Sequence, residues 1–167
     1  MQNKKAILNH RHGWEVSTAQ ALKIQEQLRK RWIGEDGFAE IRTVAGLDVS
    51  FVLVDSQARR KKRPGLYHRT ALRTANRAIG CVVVYRYPQM EEIERSYAVL
   101  PLKFPSVPGF LSFREIPVLL AALARLKSMP DMLFCDGQGY AHPRRMGLAT
   151  HLGIVLAVPR SVAQRAD

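Results

Sequence analysis

The 167 residues carry 26 Lys and Arg against 14 Asp and Glu, a formal net charge of +12 with a pI near 10.3. That length suits one α/β domain with a real core, and a hydrophobic fraction of 47% excludes a generally disordered chain. The longest apolar run, Val118 to Ala124, is too short to cross a bilayer, which leaves no membrane partner by insertion, and the charge favours a polyanion, nucleic acid first.

The opening residues, MQNKKAILNHRHGW, hold positive charge but no apolar leader segment, so the expected location is the cytoplasm. Ser17 to Gln20 has capping-box spacing, and Ala21, Ile24, Leu28 and Trp32 recur at helical intervals before Gly34. This predicts a helix from Thr18 to Trp32. Three β-branched runs follow: Thr43 to Val54, Ile79 to Tyr87, and Ile93 to Leu100 after the turn-like PQMEE. Between the first two, Asp55 to Arg77 carries eight Lys and Arg against a single Asp, with Arg59, Arg60, Lys61, Lys62 and Arg63 consecutive. A block of like charge cannot pack on itself, so it reads either as a solvated segment or as a nucleic-acid contact.

Ile116, Leu119, Leu120, Leu123 and Leu126 then mark one face of a helix, Met132 to Asp136 a buried strand, and Gly147 to Ile154 another helix. The order β-β-β-α-β-α predicts an α/β domain with a mixed sheet, three antiparallel strands and then a strand returned by a crossover beside the first. One domain covers residues 1–167, with a helical segment at 1–42, a core at 43–159 and a divergent tail at 160–167. Cys81 and Cys135 lie in apolar strand-like runs without a C-x-x-C partner, so buried reduced thiols are expected.

Asp48 sits between Leu47 and Val49 inside the first strand, and Asp136 ends the fourth. If those strands are neighbours, two carboxylates ~4 Å apart repel by roughly 4 kcal/mol at an effective dielectric of about 20. A proton or a hard cation, Mg²⁺ or Mn²⁺, would offset that and could orient a phosphate and activate water. Glu115 has two readings. It closes a capping box with Ser112, or, if Pro117 takes the first helical position, it stands ahead of the helix and is free to join the acids. His142 with Arg144 and Arg145 would supply an imidazole and two phosphate-grasping forks, and Gly137 and Gly139 would let a phosphate backbone approach.

The stretches AGLDVSF, FPSVPGFLSFREIP and CDGQGYAHPRRMGLATHLG resemble, in order and spacing, the motifs of endonuclease V, a family of deoxyinosine-directed nucleases with a ribonuclease H-like fold. The likeness runs from about Thr43 to Pro159. It implies that Asp48, Glu115 and Asp136 hold magnesium and that His142 assists at the scissile phosphate. It further implies a monomeric DNA-repair enzyme that hydrolyses a phosphodiester 3′ to deoxyinosine in duplex or single-stranded DNA, with inosine in RNA as a further substrate. Three departures stand out. The family's P-Y-I-P wedge is Pro105-Ser106-Val107-Pro108 here, and a serine cannot stack on a base. The basic stretch is longer than the family's connection. The family's pattern continues through further elements past Pro159, and with a one-residue gap Gln164 falls at its active-site Lys. The competing expectation is therefore a C-terminally truncated, catalytically impaired protein that still binds nucleic acid.

Overall fold

A computed structural model describes residues 12–34, 40–54 and 75–156, with the backbone alone of 162–164. The basic run Arg59, Arg60, Lys61, Lys62 and Arg63 lies outside the described residues. Helix α1, Thr18–Leu28, starts as the spacing predicts: Ser17 Oγ accepts from the Gln20 amide at 3.2 Å, and the Gln20 side chain accepts from the Ser17 amide at 2.9 Å. It ends earlier than predicted, tightening into a 3₁₀ turn at Arg29–Arg31 and leaving Trp32 extended.

Strands β1 (Thr43–Val52), β2 (Arg77–Arg86) and β3 (Glu91–Pro101) form an antiparallel meander, and β4 (Met132–Cys135) pairs in parallel with β1. Helix α2, Leu111–Leu123, crosses between β3 and β4, and α3, Leu148–Leu156, follows β4. A short β5, Val162–Gln164, pairs in parallel with β4 and completes a sheet of order β3-β2-β1-β4-β5. That strand lies in the tail expected to diverge; three residues with no alternation of their own give no strand signal, and the neighbouring edge of β4 supplies the pairing.

The register of β1 against β4 has a local cause. Asp131 Oδ2 accepts from the Thr43 amide at 2.9 Å, the Thr43 hydroxyl at 2.9 Å and the Arg42 amide at 3.1 Å, while the Asp131 amide donates to the Thr43 carbonyl at 3.0 Å. One carboxylate thus pins the start of β4 to the start of β1, and every later pair follows.

Alternation divides the sheet into two faces. Ala78, Gly80, Val82 and Val84 of β2 turn inward, and a Cβ on Gly80 would stand 3.0 Å from the Val118 carbonyl oxygen, which shows how closely α2 lies on the sheet. Leu119, Leu120, Leu123, Leu133, Leu152 and Val155 fill the core between them. Each such side chain contributes roughly 1.5–3 kcal/mol through burial. The other face carries Cys81, Tyr97, Val99 and Phe134, all exposed. Cys81 therefore departs from its expected burial, because its β2 position is opposite Asp48 and Tyr97 on the uncovered face; Cys135 is buried as expected. A smaller cluster of Ala21, Phe104, Phe110 and Phe113, with Trp14 and Val16 against it, docks α1 onto the start of α2.

Candidate active site

Because Leu47 pairs with Cys135, one step further along two parallel strands sets Asp48 beside Asp136, and the Asp136 amide reaches the Leu47 carbonyl at 3.5 Å. Both side chains are exposed, since alternation buries Leu47 and Cys135 and turns their successors outward. The Asp48 carboxylate also accepts from the Val49 amide at 2.8 Å.

Glu115 arrives differently from either sequence expectation. Helix α2 begins at Leu111 with Phe110 as its cap, so Pro117 lies inside the helix and Glu115 lies in its second turn. Nor does Ser112 form a capping box: its hydroxyl instead pairs with Nδ1 of the buried His151 at 2.9 Å. Glu115 is buried at 7% exposure, and its carboxyl is pushed up to about 8, first by burial, then by the charges of Asp48 and Asp136, with Arg114 opposing. Asp48 and Asp136 are close enough to raise the cost of ionising Glu115. They do not converge further: among the described residues no set of three His, Cys, Asp or Glu side chains is gathered tightly enough to hold a metal ion. The layering explains this, because Glu115 comes from the buried side and the two aspartates from the exposed side. In donor chemistry the set suits a hard divalent cation, being carboxylate oxygens of mutually repelling charge.

The loop after β4 wraps close by. Gly139 is buried, and its carbonyl accepts from the amides of His142 at 3.3 Å and Gly147 at 3.1 Å. Gly137 is half-buried against Leu148. These two glycines shape the loop, and Gly139 has no surface to offer a phosphate. At Gly147 a Cβ would stand 2.1 Å from the Gln138 carbonyl oxygen, so only glycine lets the chain close there.

His142 is buried, its Nδ1 accepting from the Arg144 amide at 3.1 Å while the ring also hydrogen-bonds the Gly109 carbonyl. Burial, then the charge of Arg144, holds the imidazole below its ordinary range, against the pull of that carbonyl. Arg144 is engaged too: Nε donates to Gln25 Oε1 at 2.7 Å, Nη2 donates to the Gly109 carbonyl at 2.5 Å, and the guanidinium lies over the Phe110 ring at 4.5 Å. The fork expected to grasp phosphate is therefore closed on the protein. Arg145 is exposed, with φ +58. Pro105, Ser106 and Pro108 are exposed in the turn before α2, whereas Phe104 and Phe110 are buried and unable to wedge a base.

Gln25 escapes a reading of the sequence alone. It is fully buried, donating to the Gly109 carbonyl at 3.0 Å and to the Met146 carbonyl at 3.4 Å. It thereby joins α1, the turn before α2 and the β4 loop at one point. A signal does exist: Ala21, Gln25 and Leu28 share a helix face, and a glutamine between two apolar positions there must be paired.

The sequence profile of the Endonuclease V family matches residues 67–163, which extends the likeness past Pro159 into the tail. Endonuclease V of Nostoc sp. is 42% identical over 149 residues, covering 89% of this chain and 58% of that relative. The crystal structure of endonuclease V from Streptomyces avermitilis superposes with a TM-score of 0.72 at 31% identity, over 92% of this chain and 60% of that one. Endonuclease V of Ciona intestinalis, in complex with DNA containing an inosine followed by a ribo-adenosine, does so at 0.69 with 27% identity, over 91% and 60%. The chain thus spans about 58% of the Nostoc relative's length, and its α/β sheet is the ribonuclease H-like arrangement of these structures. The chain belongs to the endonuclease V family.

Proposed function

We propose that the chain carries the acidic centre of a metal-dependent endonuclease that hydrolyses a phosphodiester 3′ to deoxyinosine in DNA. The observation that carries this reading is the adjacency of Asp48 and Asp136 on parallel strands, with a buried Glu115 whose proton affinity both of them raise. Asp48, Asp136 and Glu115 would hold the cation, Mg²⁺ first and Mn²⁺ second. The bound cation supplies Lewis acidity toward a phosphate oxygen and a more acidic water.

The rest is the work of this chain's own side chains. Exposed Asp48 and Asp136 mark where a phosphodiester meets the open face of the sheet at the end of β4, and buried Glu115 keeps its proton near neutral pH until a positive charge arrives. His142 and Arg144 position the loop through Gly109 and Gln25, so His142 acts through loop geometry and not by exchanging a proton. The net charge of +12 favours association of the chain with a polyanion. The Ciona relative's complex with inosine-containing DNA supports the same substrate class, and inosine in RNA is the second substrate to be compared.

A second reading, binding without cleavage, has an observation of its own: the three acids are not drawn to a common point among the described residues. Nicking of a duplex containing one deoxyinosine, with Mg²⁺ and with chelator, separates the two. The nuclease reading expects metal-dependent nicks in the parent and none in Asp48→Ala. Retained binding with no nicking in either protein selects the second reading.

A further inference from the structure

Trp32, just after the 3₁₀ turn, stacks on Tyr140 of the β4 loop with ring centroids 4.1 Å apart and planes inclined by 22°. The Arg145 guanidinium carbon stands 4.7 Å from the centre of the same Tyr140 ring. The pair is not covered by the rest of the fold: Trp32 is 42% and Tyr140 41% exposed. Arg29, Lys30 and Arg31, immediately before Trp32, are all exposed. Arg145 holds φ +58, a left-handed conformation that residues with a Cβ adopt only at a cost, so its place over the ring is maintained against local preference.

We propose that Trp32, Tyr140 and Arg145 form a stacking platform for an unpaired stretch of nucleic acid running past the acidic centre. The occupant follows from the chemistry. A half-exposed indole at Trp32, backed by Tyr140 with Arg145 behind it and bordered by cations, matches a strand that offers bare bases and phosphates together, whereas the bases of a duplex have their faces closed by their neighbours. The location follows from the fold. Tyr140 lies on the loop that begins at Asp136, and that loop is clamped through Arg144 and Gln25 to Gly109, which ends the Pro105-Ser106-Val107-Pro108 turn. That turn exposes no aromatic side chain, and this platform, fastened to the same junction, does. The inference rests on the proposed function only for the strand's path past the acids; stacking itself requires no cleavage.

The test is fluorescence-anisotropy binding of the full chain to a short oligothymidylate and to an abasic strand of equal length and charge. Trp32→Ala and Tyr140→Ala should each weaken oligothymidylate binding roughly 5- to 150-fold, the range for losing one stacked base, and leave abasic binding unchanged. Trp32→Phe should restore most of the loss. Equal losses on both strands, or none, would overturn the platform while leaving the nucleic-acid reading intact. A parent protein that binds neither strand would overturn both.

Discussion

Replacing Glu115 by Gln should stabilise the metal-free chain at neutral pH. Glu115 is buried among Asp48 and Asp136, and its folded-state carboxyl titrates at about 8 against an ordinary 4.5. A folded value raised above the unfolded one means that stability is fully present below pH 4.5 and is lost as pH rises toward 8. At about 1.36 kcal/mol per unit, holding the proton costs about 3 kcal/mol at pH 7 and on the order of 5 kcal/mol once the carboxylate must ionise. Glutamine keeps the shape and carries no such cost. Urea unfolding in EDTA, followed by tryptophan fluorescence from pH 4 to 9, should give coincident midpoints near pH 4. At pH 7 the Glu115→Gln protein should be the more stable by roughly 3 kcal/mol. An offset between the two proteins that stays constant across that range would refute the reasoning, because it would place the effect in packing and not in ionisation. The same substitution should abolish nicking, which makes the instability a property of the acidic centre itself.

His151 supplies the opposite slope. Burial, then the charge of His12, pushes its imidazole down to about 3, so stability present above pH 6.5 is lost as pH falls toward 3. The metal-free chain should therefore be most stable between about pH 4.5 and 6.5, where the two slopes oppose; a maximum near pH 8 in the same urea series would contradict both assignments. Gln25→Ala removes two donated bonds and the acceptor of Arg144 Nε, and should cost about 2–4 kcal/mol in urea unfolding; a loss below about 0.5 kcal/mol would mean that the junction is held elsewhere. Neutralising Arg59 to Arg63 should flatten the log–log salt dependence of duplex binding by about 0.9 for each phosphate no longer neutralised, and an unchanged slope would remove that run from the interface.

Elements with strong periodicity are legible in the sequence alone. The Ser17 capping box, the three antiparallel strands and the crossover that returns β4 to β1 all follow from alternation, turn residues and chain order. The start of α2 is not, because two local rules compete and tertiary contacts override both. Ser112 satisfies buried His151 instead of an orphan amide, and Pro117 is tolerated mid-helix, where the whole turn from Ser112 to Ile116 is packed against the core. The placement of Cys81 escapes for a related reason. A strand buried on one face and a strand buried on two read alike in a run as apolar as IGCVVVYRY, and only the register shows which side α2 covers.

At the site, residue type indicates charge but not what each charge is engaged with. His142, Arg144, Gly137 and Gly139 look in the sequence like groups gathered around a phosphate, and the folded chain uses His142, Arg144 and Gly139 to hold its own loop against Gly109, Met146 and Gln25. A guanidinium closed on a buried glutamine cannot also be an open fork, and a buried glycine cannot admit a ligand. The proposed chemistry therefore concentrates on Asp48, Asp136 and Glu115, and their alignment depends on an interaction some distance back along the strands. Asp131 fixes Thr43, the register carries forward through Leu47 and Cys135, and two acids meet where the ladder ends. An acid remote from the proposed centre thus sets the spacing of two that form it. Asp131 is silent in the sequence because an aspartate before a strand is ordinary; its role emerges only once a parallel neighbour brings Thr43 within reach.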